Sequence, residues 1–297
     1  MDLALFKEQG YLLTGITLPE NHLQQFREIA EAIEKEALEA YAKDQPLHGA
    51  CVLEDPVGPR LMRYDDLFLN YAEQLNQMLA HPELLQLMKD LCGSQVVPLQ
   101  ADILYKHQHP HPVVKWHQGA PSNHDSHYLN IGIYLDNADL DDGCLRYVPG
   151  TQHELQDIAE VEREHGWNPP GVIQVPARAG DIVLQEMMVL HGSEPKRSPG
   201  ARRTIYVEAR PYEAVKADEA QDLHWLDLRR FWMAEILKYD TAGVFTEEEK
   251  AFYNEGYDMS LDELLKEIHE HRCPPIPAVY NYFPVENPNY PIPADMQ

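Results

Sequence analysis

Three residues of this chain could together hold a metal ion and an anion. They are His117 in Trp116-His117-Gln118-Gly119, His191 in His191-Gly192-Ser193, and Arg202, eleven residues further on. An oxygen-activating ferrous site commonly takes two histidines and one carboxylate on one face of the metal, leaving positions open for cosubstrate and oxygen. A His-x-Asp pair on one strand supplies two such ligands, because residues i and i+2 point to the same side. His117 and His191 fit the histidine roles, but position 119 is glycine, which has no side chain to ligate. The chain holds 15 histidines, so a pair at any one separation is weak evidence alone. The surrounding stretches carry the signal: Val-Pro-Gly-Thr-Gln-His at 148–153, Ala-Gly-Asp-Ile-Val at 179–183, and the arginine after His191.

Such side chains need strands to aim them. From residue 96 the sequence turns to short apolar runs bounded by turns, which predicts an antiparallel sandwich or barrel. Expected strands are Val97–Lys106, Tyr128–Asp136, Cys144–Val148 (entered through Asp141-Asp142-Gly143), Val172–Val175, Asp181–Leu184 and Thr204–Arg210. Helical periodicity flanks this region. Residues 2–9 read as a short helix ending at Gly10, followed by a strand at Tyr11-Leu12-Leu13. Pro19-Glu20 opens a long helix to about Lys43, with Leu23, Phe26, Ile29, Ile33 and Leu38 as its apolar stripe. Residues 66–92 give two amphipathic helices split near His81-Pro82, and Leu223–Tyr239 and Leu261–His271 give two more. Residues 274–297, rich in Pro, Tyr and Asn, read as an extended tail packed on the core or on a partner subunit. The reading is a single domain over 1–297: a β core at about 95–212, a helical region at 1–94, and a helical and Pro-rich extension at 213–297.

Composition narrows the partners. With 44% hydrophobic residues the chain can bury a sizeable core. A net charge of −25, a pI near 4.8 and no Lys/Arg-rich tract argue against nucleic acid and anionic membranes. A small-molecule substrate is the expected partner, and the tail and acidic helices permit a homodimer. An anionic ligand would need positive charge inside a pocket. Cys51, Cys92, Cys144 and Cys273 form no Cys-x-x-Cys pair, and no secretory signal or long apolar span is visible, so a cytoplasmic location with reduced cysteines is expected.

Taken together, these motifs resemble the phytanoyl-CoA dioxygenase-like family of iron(II)- and 2-oxoglutarate-dependent oxygenases. Phe6-x-x-x-Gly10-Tyr11 is similar to that family's opening segment, and Trp116-His117-Gln118 to its Trp-His-Gln-Asp stretch. Asp142-Gly143-Cys144-Leu145 through Pro149-Gly150-Thr151-Gln152-His153 resembles its Asn-Gly-Cys-Leu and Pro-Gly-Ser-His segments. Ala179 to Arg202 resembles its Gly-Asp, His-x-Ser and Arg tail. The likeness runs from about residue 5 to 212. It implies a mainly β fold with α additions, a double-stranded β-helix (jelly roll, cupin-like) with the metal in one mouth. It also implies Fe(II), 2-oxoglutarate and O2 as cofactors, with His117 and His191 on iron and Arg202 on the distal carboxylate of 2-oxoglutarate. A guanidinium binds a carboxylate bidentately and stays charged when buried. Arg203 competes for that role, but adjacent strand residues face opposite sides and the eleven-residue offset favours Arg202. Ser193 matches a serine near the cosubstrate, with a turn serine as the alternative. Asn130 and Tyr105, with Lys106, lie on strands expected to flank the pocket and are candidates for cosubstrate contacts. Trp116 and His127 are candidates for the substrate side, as are His124 and Asp125. Residues 46–66 and the C-terminal helices are the expected lid, and Arg60, Arg63, Arg197 and Arg203 could meet an anionic substrate group, with surface placement as the alternative.

Gly119 departs from the family pattern. Removing the aspartate removes one ligand and one negative charge, and a halide can restore both. The arrangement resembles the iron(II)- and 2-oxoglutarate-dependent halogenases, and implies radical chlorination with chloride at position 119. Hydroxylation by the same kind of enzyme is the alternative, with Gly119 natural or a one-residue engineered change from His-Gln-Asp-Ala-Pro, or with an acid such as Asp125 completing the metal shell. A metal-free ligand-binding module is the third reading.

Overall fold

The computed structural model describes residues 2–119, 126–218, 221–271 and the backbone of 282–283. His124, Asp125, Cys273 and most of the expected tail lie outside the described residues. Strands β1 (Tyr11–Thr17), β2 (Ala50–Asp55), β3 (Gly58–Tyr64), β4 (Val96–His107), β6 (Leu129–Tyr134), β9 (Asp181–Glu186) and β11 (Ala201–Pro211) form a seven-stranded sheet. Its order is β1-β9-β6-β11-β4-β3-β2. Strands β5 (Val113–His117), β7 (Leu145–Val148), β8 (Ile173–Val175), β10 (Leu190–Ser193) and β12 (Tyr282–Phe283) form a second sheet, ordered β12-β5-β10-β7-β8. The ladders between these strands are antiparallel. Two such sheets with Greek-key crossovers make the double-stranded β-helix expected from the sequence.

Alternation along the strands divides the side chains of the large sheet. On β11, Ile205, Val207 and Ala209 join a helix-covered apolar cluster, together with Ile103 and Tyr105 of β4 and Ile131 and Ile133 of β6. The next residues along each strand, Arg202, Tyr206 and Glu208 on β11, Asp102 and Leu104 on β4, and Asn130 on β6, line a cavity on the other face. Each fully buried Ile, Leu or Phe on the apolar face contributes about 1.5–3 kcal/mol by leaving water. The cavity face carries the charge. A smaller apolar cluster containing Tyr134, Cys144, Leu145, Tyr147 and Val183 closes the space between the sheets.

The covering helices are α1 (Leu3–Gln9), α2 (Glu20–Tyr41), α3 (Leu67–Leu79), α4 (Pro82–Cys92), α5 (Ile158–His165), α6 (Tyr212–Ala217), α7 (Leu223–Leu237), α8 (Glu247–Asn254) and α9 (Leu261–Glu270). Local chemistry sets their ends. Asp2 caps α1, and Gly10 closes it at φ 79, a left-handed position where its N–H reaches the Phe6 carbonyl. Thr246/Glu249 and Ser260/Glu263 form capping boxes on α8 and α9. The buried stripe of α2 is Leu23, Phe26, Ala30, Ile33 and Ala37. It differs from the expected stripe because Ala30 and Ala37 let the helix approach the sheet, leaving Ile29 and Leu38 at its margins. α7 is buried around most of its circumference, Arg229, Arg230 and Glu235 included, because β4 covers one side and α8 and α9 the other.

The sheet also reaches into the N-terminal region, where the sequence predicts one short strand at Tyr11–Leu13 among helices. β1 extends one edge, and the hairpin β2–β3 extends the other in place of an irregular lid. Charged residues in Leu53-Glu54-Asp55 and Pro59-Arg60-Leu61 hide the hairpin's alternation. No helix among the described residues is long and apolar enough to cross a membrane.

The hairpin is tied to β4 by His107, whose Nε2 lies 2.8 Å from the Leu61 carbonyl. Burial, then the neighbouring His111, pushes this imidazole from its ordinary 6.5 down to about 4. The unfolded chain therefore binds more protons than the folded one across that interval. The stability contributed by neutral His107 is complete above about pH 6.5 and is lost as pH falls towards about 4. Urea midpoints of the wild type should fall over this window, and the fall should be shallower for His107→Gln. Parallel profiles for the two proteins would contradict the assignment.

Candidate metal and cosubstrate site

β10 pairs with β5 in a register that sets His191 directly opposite His117. Their ring centroids are 3.9 Å apart, with the planes at 50°. Each ring is held by its own strand: His117 Nδ1 lies 2.9 Å from the Lys115 carbonyl, and His191 Nδ1 lies 2.8 Å from the Val189 carbonyl. A carbonyl can only accept, so both Nδ1 atoms carry the proton and both Nε2 atoms keep a lone pair. This is the tautomer a metal ligand requires, fixed by an outer hydrogen bond. Burial pushes His117 down to about 4, and burial with the adjacent His117 pushes His191 well below the usual histidine range. Both rings are thus neutral and able to ligate near neutral pH.

Gln185, on β9, lies beside this pair. Its Nε2 is 2.8 Å from His191 Nε2 and 3.4 Å from His191 Nδ1, while its Oε1 accepts from the Tyr147 hydroxyl at 3.0 Å. Near-equal approach to both ring nitrogens sets the amide against the face of the imidazole, off the axis of the Nε2 lone pair.

The signature residues next to the histidines brace the two strands. Gln118 Nε2 reaches the carbonyls of Thr151, Glu154 and Met188 at 2.7–3.0 Å, and Gln118 Oε1 accepts from Gln156 N at 2.7 Å. Thr151 Oγ1 donates to the Val148 carbonyl and accepts from Leu190 N, the residue before His191. Trp116 faces the opposite side of β5 from His117.

Gly119 N donates to the Met187 carbonyl at 2.7 Å. Its φ lies outside the left-handed region, so the backbone does not itself call for glycine. A Cβ built there would sit 2.9 Å from Met187 Cε and 3.2 Å from the Met187 carbonyl oxygen. The methyl end can swing away, but the carbonyl cannot. The position left by the missing carboxylate is therefore bordered by Met187.

Arg202 and Lys106 stand on paired positions of β11 and β4 and form a basic end of the site. Arg202 is 1% exposed, donates from Nη1 to the Gly143 carbonyl at 2.7 Å, and leaves Nε without a partner. Lys106 Nζ donates to Ser193 Oγ at 2.8 Å. Burial, then the charge of Arg202, holds the Lys106 ammonium well below its ordinary pKa. Neither cation forms an ion pair among the described residues. A buried guanidinium with an orphaned N–H, beside a lysine whose charged form an anion would favour, fits a carboxylate ligand. Gly143, at φ 78, is needed here: a Cβ would lie 2.6 Å from Lys106 Cε.

The structure sorts the other expected site residues. His117, His191, Gly119, Ser193, Arg202 and Asn130 line one cavity. Tyr105 does not: it faces α2 and its hydroxyl donates to the Ala30 carbonyl at 2.9 Å, because alternation on β4 turns Lys106 inward and Tyr105 outward. Trp116 packs against Trp167 and donates to the Gly166 carbonyl, away from the cavity. His127 contacts Glu186 and the edge of Phe6 and does not line the cavity. Arg203 faces out, binding Asp136 and Glu31. Arg60 pairs with Asp55, whereas Arg63 lines the cavity. Sequence reasoning passed over Asp102, Gln185, Met187, Tyr206 and Glu208. The available signal was a polar residue recurring at every second position of otherwise apolar strands.

Comparison with known proteins identifies the family and the fold. The family model for phytanoyl-CoA dioxygenase matches residues 6–204. The chain belongs to the phytanoyl-CoA dioxygenase family of iron(II)- and 2-oxoglutarate-dependent oxygenases. It is 24% identical over 251 residues to methylphosphonate hydroxylase of Gimesia maris, covering 81% of this chain and 89% of that protein. It is 27% identical over 183 residues to L-proline trans-4-hydroxylase of Streptomyces griseoviridis, covering 54% and 60%. HygX from Streptomyces hygroscopicus, solved with nickel and 2-oxoglutarate, shares the fold at a TM-score of 0.54 and 18% identity, with 71% of this chain and 86% of that chain covered.

If the paired Nε2 atoms hold the metal, His117→Ala and His191→Ala should each abolish Co(II) binding, read from its visible d–d absorption, while the far-ultraviolet circular dichroism stays unchanged. Retained Co(II) binding in both variants would remove the site from consideration.

Proposed function

We propose that this protein is an iron(II)- and 2-oxoglutarate-dependent enzyme that functionalises an unactivated C–H bond of a small molecule. The observation that carries this reading is the juxtaposition in one cavity of two neutral imidazoles, each with an unprotonated Nε2, and a buried Arg202 that has no ion-pair partner among the described residues. His117 and His191 would hold Fe(II). Arg202 would bind the distal carboxylate of 2-oxoglutarate, with Lys106 and Ser193 at its side. When bound, iron and 2-oxoglutarate supply oxygen activation coupled to decarboxylation of the keto acid. The chain's own residues bind and orient: the strand-held rings fix the metal's direction, and the basic end fixes the keto acid.

Two outcomes of the C–H step have separate support. Halogen transfer rests on Gly119, which removes the carboxylate ligand and its charge and leaves chloride to supply both. Hydroxylation rests on the two hydroxylase relatives and on Met187, whose side chain borders the halide's position. Asn130 lines the cavity within reach of either ligand class. The absence of any iron binding would instead favour the ligand-binding module.

Arg202→Ala should raise the 2-oxoglutarate concentration needed for half-maximal turnover by about tenfold or more, since a hydrogen bond to a charged group is worth about 1.5–3 kcal/mol. An unchanged requirement would refute that role. Product masses collected with chloride and with bromide separate halogen transfer from oxygen insertion. Gly119→Asp should suppress any halogenation and favour hydroxylation, and continued halogenation by that variant would sink the vacancy argument.

A further inference from the structure

The cavity has a second polar wall, opposite in charge to its basic end. β6, β11 and β4 build it from cross-strand neighbours. Asn130 is the direct partner of Glu208, and Asp102 the direct partner of Tyr206, two positions along β11. Directly opposed residues on one face have Cβ atoms about 4.5–5.5 Å apart, so these side chains crowd one patch. β3 adds Arg63.

The patch is over-supplied with acceptors and negative charge. Arg63 is its one guanidinium, and it is already engaged. Arg63 Nη2 donates to Asp102 Oδ2 at 2.8 Å, and Arg63 Nε pairs with Asp65 Oδ1 at 2.5 Å. Glu208 has no ion-pair partner among the described residues, and its hydrogen bond comes from the neutral Tyr128 hydroxyl at 3.0 Å. Asp102 is 5% exposed, and its other donor is Gln100 Nε2 at 3.1 Å. Asn130 Oδ1 is buried in the same wall without any hydrogen-bond donor. Three carboxylates thus share one cation, and a buried carbonyl oxygen waits beside them. Burial raises the pKa of Asp102 and Glu208 by disfavouring their charged forms, and a cation bound beside them would favour those forms again. A buried acceptor left unmatched costs about 1–3 kcal/mol, so a ligand that donates here is favoured over one that only accepts.

We propose that this wall recognises the substrate by a protonated amine, with Glu208, Asp102 and the Asn130 carbonyl oxygen as its acceptors. The inference rests on the reading of the cavity as the active site and adds the class of substrate: an aliphatic ammonium compound whose reacting C–H lies between this wall and the two imidazoles. Anionic substrates would face the uncompensated carboxylates.

The test titrates butylamine, butyrate and butanol, with ligand-observed NMR as the readout, into the metal-free protein and into the anaerobic Fe(II)/2-oxoglutarate complex. The expected result is amine binding at least about tenfold tighter than either other probe, weakened about tenfold to a hundredfold in Glu208→Gln and in Asp102→Asn. Both variants keep side-chain size, and circular dichroism and the unfolding midpoint check that they fold. Butyrate or butanol binding as well as the amine would overturn the proposal, as would amine binding that is indifferent to both substitutions. The metal-to-ligand absorption band of the loaded protein reports separately on the iron reading. Its absence would remove that reading, while the amine titration of the metal-free protein would still decide whether the acidic wall binds ammonium.

Discussion

The pairing of β10 against β5 in one register is the constraint on which the site depends. His191 meets His117 only because those two residues are direct partners across the ladder. A slip of one residue would turn one imidazole to the outer face, where Trp116 now packs. Short strands of this kind hold register poorly by themselves, and the chain supplies outside anchors. Gln118 grips three carbonyls of neighbouring segments, and Thr151 links the end of β7 to the start of β10. The residues flanking the histidines act as braces, and this explains why the signature is longer than the two histidines it carries.

A second consequence follows from building a charged cavity inside a jelly roll. Asp102, Lys106 and Glu208 on the inner face of β4 and β11 are each flanked along their strand by an apolar residue of the helix-covered cluster. The cost of desolvating Arg202, Lys106, Asp102 and Glu208 is offset by the packed helix-covered face behind them. The charges are also segregated. Arg202 and Lys106 lie with Ser193 and Gly143 towards one end, and Asp102, Glu208 and Asn130 towards the other. The segregation is what two ligands of opposite charge would need to be held in one cavity without exchanging places.

The fold was readable in the sequence because its strands alternate and its helices carry clear caps. The histidines and Arg202 were readable because their neighbours are distinctive. The hairpin β2–β3 was not, since its alternation is buried under charged residues at a sheet edge. Tyr105 was placed in the pocket and Lys106 beside it, although adjacent residues on one strand cannot both point inward. Only the register of β4 against β11 fixes which does. Trp116 failed for the same reason, since its neighbour His117 takes the inner side. Asp102 and Glu208 carry no motif, and their meaning arises only when distant strands bring them onto one wall.

Gly119 joins these strands of argument. Its backbone conformation is open to any residue, so the glycine does not serve a turn. What it changes is the space beside His117 and the charge balance at the metal position. An aspartate there would add a third ligand and would also push against the fixed Met187 carbonyl, 3.2 Å from its Cβ. Glycine relieves that contact and leaves the metal position one negative charge poorer, at the junction between the basic and acidic ends. If the paired imidazoles hold the metal as proposed, whatever fills this position must fit beside Met187.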